Sequence, residues 1–279
     1  MSVRIITDST VDLAPAIKAQ VTAVPLSVRF GQQEYLDGVT IDAVQFYEML
    51  AQSEELPTTS QPTPAAFEDA FRDAVEAGDD VVCITISSRL SGTYQSATIA
   101  ADEFPGKVFV VDSRTAAIGA GLLAEYALQL AGEGMSAEQI LHILMEKRKQ
   151  IRLYAIVDTL EYLKKGGRLS SAVAVVGGLL NIKPIICIGQ TGEITVPAKA
   201  RGMKAAFAQL TQLVSQNGGV DPSLPALLGY TGGNRENLDK YQKETAGIWP
   251  EGTQSTIVGS AIGVHVGPGA VAVSFFSAE

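Results

Sequence analysis

The sequence predicts an α/β protein in two units, the first a mainly parallel sheet layered between helices, the second an α/β unit with a mixed, more antiparallel sheet. Three observations carry that expectation. Strand-like and helix-like segments alternate through the first half, the rhythm of a parallel sheet whose crossovers are helices. Hydroxyl clusters at 8–10, 87–93 and 112–113 fall where those strands end, the place where open α/β sheets bind ligands. Near 150–153 the rhythm changes, and two apolar runs joined by Gly189-Gln190-Thr191-Gly192 form a hairpin pattern. The boundary divides the chain into residues 1–152 and 153–279.

Taken in order, residues 3–7 (VRIIT) form a short apolar strand, followed by the cap-type Asp8, Ser9 and Thr10 and a weakly helical stretch to residue 20. Residues 21–30 read as one strand, with Pro25 pushing it towards a sheet edge, and 31–37 as a turn. Helical spacing over 41–52 and 64–76 flanks a segment with Pro57, Pro62 and Pro64. Each proline locks its own φ and restrains the residue before it, so this segment runs extended and holds Thr58, Thr59 and Ser60 outward. Residues 81–98 (VVCITISSRLSGTYQSAT) combine a buried strand, a hydroxyl-rich turn and a helix start. Free N–H groups at that start attract anions, Gly92 permits close approach to the backbone, and Ser91 and Thr93 add hydroxyls. The same pattern also fits plain capping, with Ser88 or Ser91 serving only their own helix.

A strand at 107–111 and helices at 116–131 and 136–150 complete the first unit. The second contains a strand at 153–157, a short helix over 160–171 broken by Gly166 and Gly167, strands at 183–188 and 193–198, a helix at 203–215, a strand at 226–230, a helix at 236–245, and strands near 253–258 and 270–275. The nearly all-apolar stretch 172–180 reads either as a core helix or as a wall whose two glycines and small alanines leave room for a slender apolar guest.

Composition narrows the function. With 46% hydrophobic and 18% charged residues over 279 positions, the chain can bury a sizeable core and is not of the disordered class. A net charge of −9 opposes binding to a phosphate backbone, which argues against nucleic acid as a partner. Cys83 and Cys187 sit in apolar strands without ligand spacing, as buried thiols in a reducing compartment do. No apolar run approaches the roughly 18 residues of a membrane span, and the start MSVRIITDST turns polar too early for a signal peptide, so the expected location is the cytoplasm. Gly119, Gly121 and Ala124 match GxGxxA but fall inside a helix, with no acidic residue placed for a ribose, so a nucleotide fold is rejected. Walker A, HExxH and GxSxG patterns are absent, and two histidines cannot make a histidine-rich metal site.

His142 lies in a helical run and is expected to be structural. His265 sits among Gly259, Gly263, Gly267 and Gly269, read as a glycine-rich loop, where an imidazole either donates to an anion, acts as acid or base, or closes a turn. Lys164, Lys165 and Arg168, with Lys183, Lys199, Arg201 and Lys204 beyond, form either a docking face for an acidic partner or solvated surface.

Six motifs then occur in order across essentially the whole chain: Thr7-Asp8-Ser9-Thr10; Thr59-Ser60-Gln61-Pro62; Ser88-Arg89-Leu90-Ser91-Gly92-Thr93-Tyr94-Gln95-Ser96-Ala97; Lys165-Gly166-Gly167-Arg168; Ile182-Lys183-Pro184; and His265-Val266-Gly267-Pro268-Gly269. Together they resemble the DegV family. The resemblance implies a DegV-like, EDD-type fold of two α/β domains with a long-chain fatty acid such as palmitate bound between them. It further implies that the chain, not an enzyme on its own, is a lipid-binding subunit of a bacterial fatty acid kinase in phospholipid metabolism, presenting the acyl carboxylate to a separate ATP-using subunit. Carried over by motif, Thr59 and Ser91 hold the carboxylate with His265 close by, and Gly92 and Thr93 belong to the same turn. Arg168, within a matched motif, and Arg201, on charge alone, are candidates for docking the kinase. No metal, cofactor or catalytic residue is implied. The competing expectation is a stand-alone hydrolase or phosphotransfer enzyme with Ser91 as nucleophile and His265 as base.

Overall fold

A computed structural model of the chain describes residues 2–169 and 181–278; the apolar stretch at 172–180 lies outside the described residues. The first half opens with β1 (Val3–Asp8), a 3-10 turn at Lys18–Gln20 and β2 (Thr22–Val24). Pro25 lacks an N–H and ends β2, so the single strand expected at 21–30 is two. Its second part, β3 (Ser27–Phe30), turns back at Gly31, with φ of 57°, into β4 (Gln33–Leu36), so most of the segment expected to be a turn is strand. A capping box of Asp42 and Gln45 starts α1 (Ala43–Gln52). The proline-flanked segment is extended as its φ restraints dictate, and forms β5 (Thr58–Ser60) by pairing Thr59 opposite Val28 of β3.

Thr63 caps α2 (Pro64–Glu76), whose proline occupies the first turn where no N–H partner is lost. There follow β6 (Asp80–Thr85), α3 (Thr93–Ala101), β7 (Val108–Asp112), α4 (Ala117–Gly132) and α5 (Ala137–Lys147). The second half comprises β8 (Ile151–Ile156), α6 (Glu161–Lys165), β9 (Ile182–Ile188), β10 (Ile194–Arg201), α7 (Met203–Gln216), β11 (Ala226–Tyr230), α8 (Glu236–Glu244), β12 (Gln254–Ile257), α9 (Ser260–Val266) and β13 (Val271–Phe276).

The strands sort into three sheets. One, in the order β2-β1-β6-β7, is wholly parallel. A second, β10-β9-β8-β13-β11-β12, is antiparallel except for the β11–β12 pair. The third, β4-β3-β5, is a small antiparallel sheet. The fold is therefore mixed α/β, with a parallel sheet and a mixed sheet.

Phe67, Phe71 and Phe104 fill the space between α2, α3 and one face of the parallel sheet. On the far face of the mixed sheet, Phe207, Leu210, Tyr241 and Phe275 pack under α7 and α8. Between the two large sheets runs α4, which touches β1 and β6 on one side and β8, β11 and β13 on the other. Its first half, residues 117–124, is apolar all round, and Ile118, Ala120, Leu122, Leu123 and Ala124 have no exposed surface, as a helix segment inside a core requires; Glu125 and Gln129 mark where the second half emerges. Two of the helix's three glycines serve packing: a Cβ on Gly121 would stand 2.1 Å from the Asp12 carbonyl oxygen, and one on Gly119 would stand 2.4 Å from Thr115 Oγ1. None of the described helices is long and apolar enough to cross a membrane.

The glycine-rich stretch carrying His265, expected as a loop, is instead α9. Backbone N–H groups of Gly259, Ser260 and Ala261 at its start donate to Asp12 Oδ1, Asp37 Oδ1 and Asp37 Oδ2, supplying caps from distant chain segments. Gly267 then stops it, with φ of 75° and Tyr162 standing where a side chain would go.

Candidate functional site

A cleft of about 890 Å³, open mouth included, lies between the carboxyl ends of the parallel strands and the mixed sheet. Strand alternation puts Leu153, Ala155, Ile186 and Ile188 on its floor, and Ile86 and Leu90 face them from the turn after β6. Space exists because so much of the lining is small: Ala116, Ala117, Ala155, Ala261, Ala270 and Ala272 all border it. Larger residues at those positions would close the core, as they do elsewhere in the chain.

One end is polar. β5 carries Thr59 to the cleft, where its Oγ1 lies 2.9 Å from Nε2 of His265 on the last turn of α9. Ser91 also lines the cleft, its Oγ 2.8 Å from Thr93 Oγ1 and accepting from the Thr93 N–H at 3.3 Å. Thr93 itself is wholly buried at the start of α3 and stands behind Ser91, outside the lining. Gly92 is likewise outside the lining; the space where its Cβ would be is taken by Gln61, 2.2 Å from Oε1. Gln61 Nε2 donates to Ser96 Oγ at 2.9 Å, so the segment bearing Thr59 is laid over the start of α3.

The geometry brings Thr59, Ser91 and His265 to one cleft and adds Arg168 to it. Arg168 Nε donates to the Leu90 carbonyl at 3.2 Å and Nη1 to the Gly166 carbonyl at 2.6 Å, which ties the end of α6 to the serine turn. Arg201 ends β10, the sheet's edge strand, is exposed and does not border the cleft. Thr10 and Thr231 also border it. Thr10 belonged to a recognised motif, whereas Thr231, whose Oγ1 accepts from the Ala270 N–H at 2.8 Å, carried no local signal.

Burial, with the nearby Arg168 charge adding to it, pushes the His265 imidazole down from its ordinary 6.5 to about 4. The ring is therefore neutral at pH 7, and its Nδ1 has no hydrogen-bond partner. Gly166 makes room for it: a Cβ there would sit 2.3 Å from Nδ1. Arg168 is the one cation bordering the cleft among the described residues. In an NMR titration the His265 ring is expected to protonate near pH 4, and a midpoint near 6.5 would contradict this burial. As the pH falls from about 6.5 to about 4, the unfolded chain binds a proton that the folded site refuses. Stability from this group is therefore lost across that window, with no further loss below it.

Asp8 works in the opposite sense. Burial raises its carboxyl to about 6, although the N–H groups of Thr10 and Ile86 donate to it at 2.8 Å each, so folding gains from this group as the pH falls from about 6 towards 3.8.

The nucleophile–base pair of an enzyme reading is not formed. Ser91 Oγ is bonded to Thr93, and His265 Nε2 to Thr59. What the site offers is a set of hydroxyls, a neutral ring and one guanidinium at the end of an apolar slot, an arrangement that suits a ligand with an anionic head and a long hydrocarbon body.

A family model described as "Uncharacterised protein, DegV family" matches residues 2–278. A DegV domain-containing protein of Deinococcus radiodurans is 40% identical over 280 residues, covering 98% of each chain. Among solved structures, a DegV family protein from Thermus thermophilus, described for its fatty acid binding, superposes with a TM-score of 0.89 at 33% identity, covering 99% of this chain and 100% of that one. A stearic acid-binding protein from Eubacterium ventriosum gives a TM-score of 0.86 at 28% identity, covering 99% and 98%.

Proposed function

Because this chain belongs to the DegV family, we propose that it binds a long-chain fatty acid between two domains, residues 1–152 and 153–279, and presents the carboxylate to a separate ATP-using kinase. The observation that carries the proposal is that Thr59, Ser91 and His265 line one largely apolar cleft, with Thr59 and His265 in hydrogen-bond contact.

The two ends of the ligand pose different problems. About 14 methylenes leaving water contribute roughly 0.8 kcal/mol each, an upper limit of roughly 11 kcal/mol before ordering costs. A carboxylate taken from water without partners would cost several kcal/mol. The Thr59 and Ser91 hydroxyls and the Arg168 charge replace its hydration, with His265 holding Thr59 in place and the Thr93 N–H and hydroxyl holding Ser91. No acid or base on this chain is needed for phosphorylation. A carboxylate oxygen attacks the γ-phosphorus of ATP held by the partner, ADP departs, and the acyl phosphate stays in the cleft. In this scheme Arg168, at the mouth, and Arg201, on the outer edge, meet the kinase, and the protein works in the cytoplasm within phospholipid metabolism.

Denaturing mass spectrometry of protein purified without added lipid tests the binding step. A co-purified acid of palmitate or stearate size is expected, whereas an empty protein that also fails to take up added palmitate overturns the proposal. ATP-dependent acyl phosphate formation is expected only with a kinase added; turnover of an ester or phosphate by the protein alone would favour the enzyme reading.

A further inference from the structure

Of the ten arginines in the chain, Arg4, Arg29, Arg72, Arg89 and Arg235 each have a carboxylate partner. Three of the remaining five stand together. Arg114, Arg148 and Arg152, with Lys149, line a second cavity of about 800 Å³, open mouth included. It lies where β9 leaves β8: their pairing ends at Tyr154 opposite Cys187, and residues 151–153 continue without a β9 partner. Leu153, Cys187 and Ile188 form a wall between this cavity and the apolar cleft.

Two of the guanidiniums are held in place by backbone carbonyls. Arg148 Nη1 donates to the Asp112 carbonyl, while its buried Nε has no partner. Arg152 Nη1 donates to the carbonyls of Lys149 at 2.7 Å and Ile151 at 3.2 Å. The nearby Asp112 carboxylate is already occupied by Ser88 and by the Arg114 N–H. That last bond holds Arg114 at φ of 52°, a left-handed conformation in which a long side chain is uncommon. Lys149 pairs with Glu146 in full solvent, where such a pair is weak. Thr115, only 5% exposed, also lines the cavity, and its Oγ1 has no partner. Burial, and after it the neighbouring Arg114, push the Arg148 guanidinium downward, outweighing the opposing pull of Asp112 and Glu146.

We propose that this cavity binds a compact multivalent oxyanion, a phosphate or pyrophosphate group, either free or carried on a small phosphorylated metabolite. In a chain of net charge −9, three guanidiniums with no carboxylate ion pair among the described residues are not a generic surface. Their planar forks match phosphate oxygens in pairs, and a concave ring of them fits a small anion better than an extended acidic chain.

Isothermal titration at about 0.15 M salt with pyrophosphate, inorganic phosphate and ADP tests the site. Wild-type protein is expected to bind at least one of them saturably, below about 1 mM. Tighter binding of ADP than of pyrophosphate identifies the carried form, and the reverse order the free form. Arg114→Gly removes one guanidinium and places glycine where φ is already left-handed, so its unfolding midpoint should hold or rise while affinity drops at least tenfold. Arg152→Gln should weaken binding similarly. No saturable binding by the wild type, or unchanged affinity in both variants, overturns the assignment.

Discussion

Alanine at both Thr59 and Ser91 is expected to reduce fatty-acid retention about a hundredfold or more while the protein stays folded. Each hydroxyl gives a hydrogen bond to a charged group, worth about 1.5–3 kcal/mol when the carboxylate is out of water. Neither holds up the fold: Thr59 sits on a short strand whose pairing is through its backbone, and Ser91 bonds only within its own turn. The unfolding midpoint should fall by no more than about 4 °C, the shift that goes with roughly 1 kcal/mol in a chain of this size. Competition binding with labelled palmitate measures the first quantity and a thermal melt the second. Unchanged affinity would remove the carboxylate from this end of the cleft. Because Thr59 and His265 share one hydrogen bond, His265→Ala should add less to Thr59→Ala than its own effect.

Gly121→Ala is expected to be the most damaging small change in the molecule. The atoms its methyl would meet are backbone, Asp12 O at 2.1 Å and Asp12 C at 3.1 Å, and backbone cannot rotate aside. Separating α4 from the segment after β1 should cost about 1–3 kcal/mol or more in denaturant unfolding. The disturbance also reaches the site, since Asp12 Oδ1 holds the Gly259 N–H at the start of the helix that carries His265. Gly132→Ala, at the exposed end of the same helix with nothing within 4 Å of the added methyl, should be neutral or stabilising by up to about 1 kcal/mol. Equal behaviour of the two variants would contradict the packing account.

The elements that were legible in the sequence are those set by local physics. α2 begins at Pro64 as its cap and proline require, and the extended path of 58–60 follows from proline φ restraint. Where chain pairing decides, local signals failed. Pro25 was read as pushing its strand to a sheet edge, where β2 does lie, but it also breaks that strand and moves β3 into a different sheet. The residues around His265 looked like a loop because their caps, Asp12 and Asp37, come from more than two hundred residues away. Thr59 and His265, 206 positions apart, could be brought together only by family resemblance. The cleft itself is a matter of missing volume at six alanines spread over four stretches of chain, which no single stretch reveals. Arg168 looked like one of a row of surface charges, and only the fold turns it inward towards Leu90.

The helix clasped by both large sheets limits how cargo can come and go. Swinging the halves apart would strip α4 from one sheet and wet side chains that now have no exposure at all. Among the described residues the smaller barrier lies at the rim, where β3 and β5 of the three-stranded sheet lean against α9. Loading and unloading should therefore track fraying of that small sheet, and a crosslink across it would trap the occupant while leaving the rest of the molecule undisturbed.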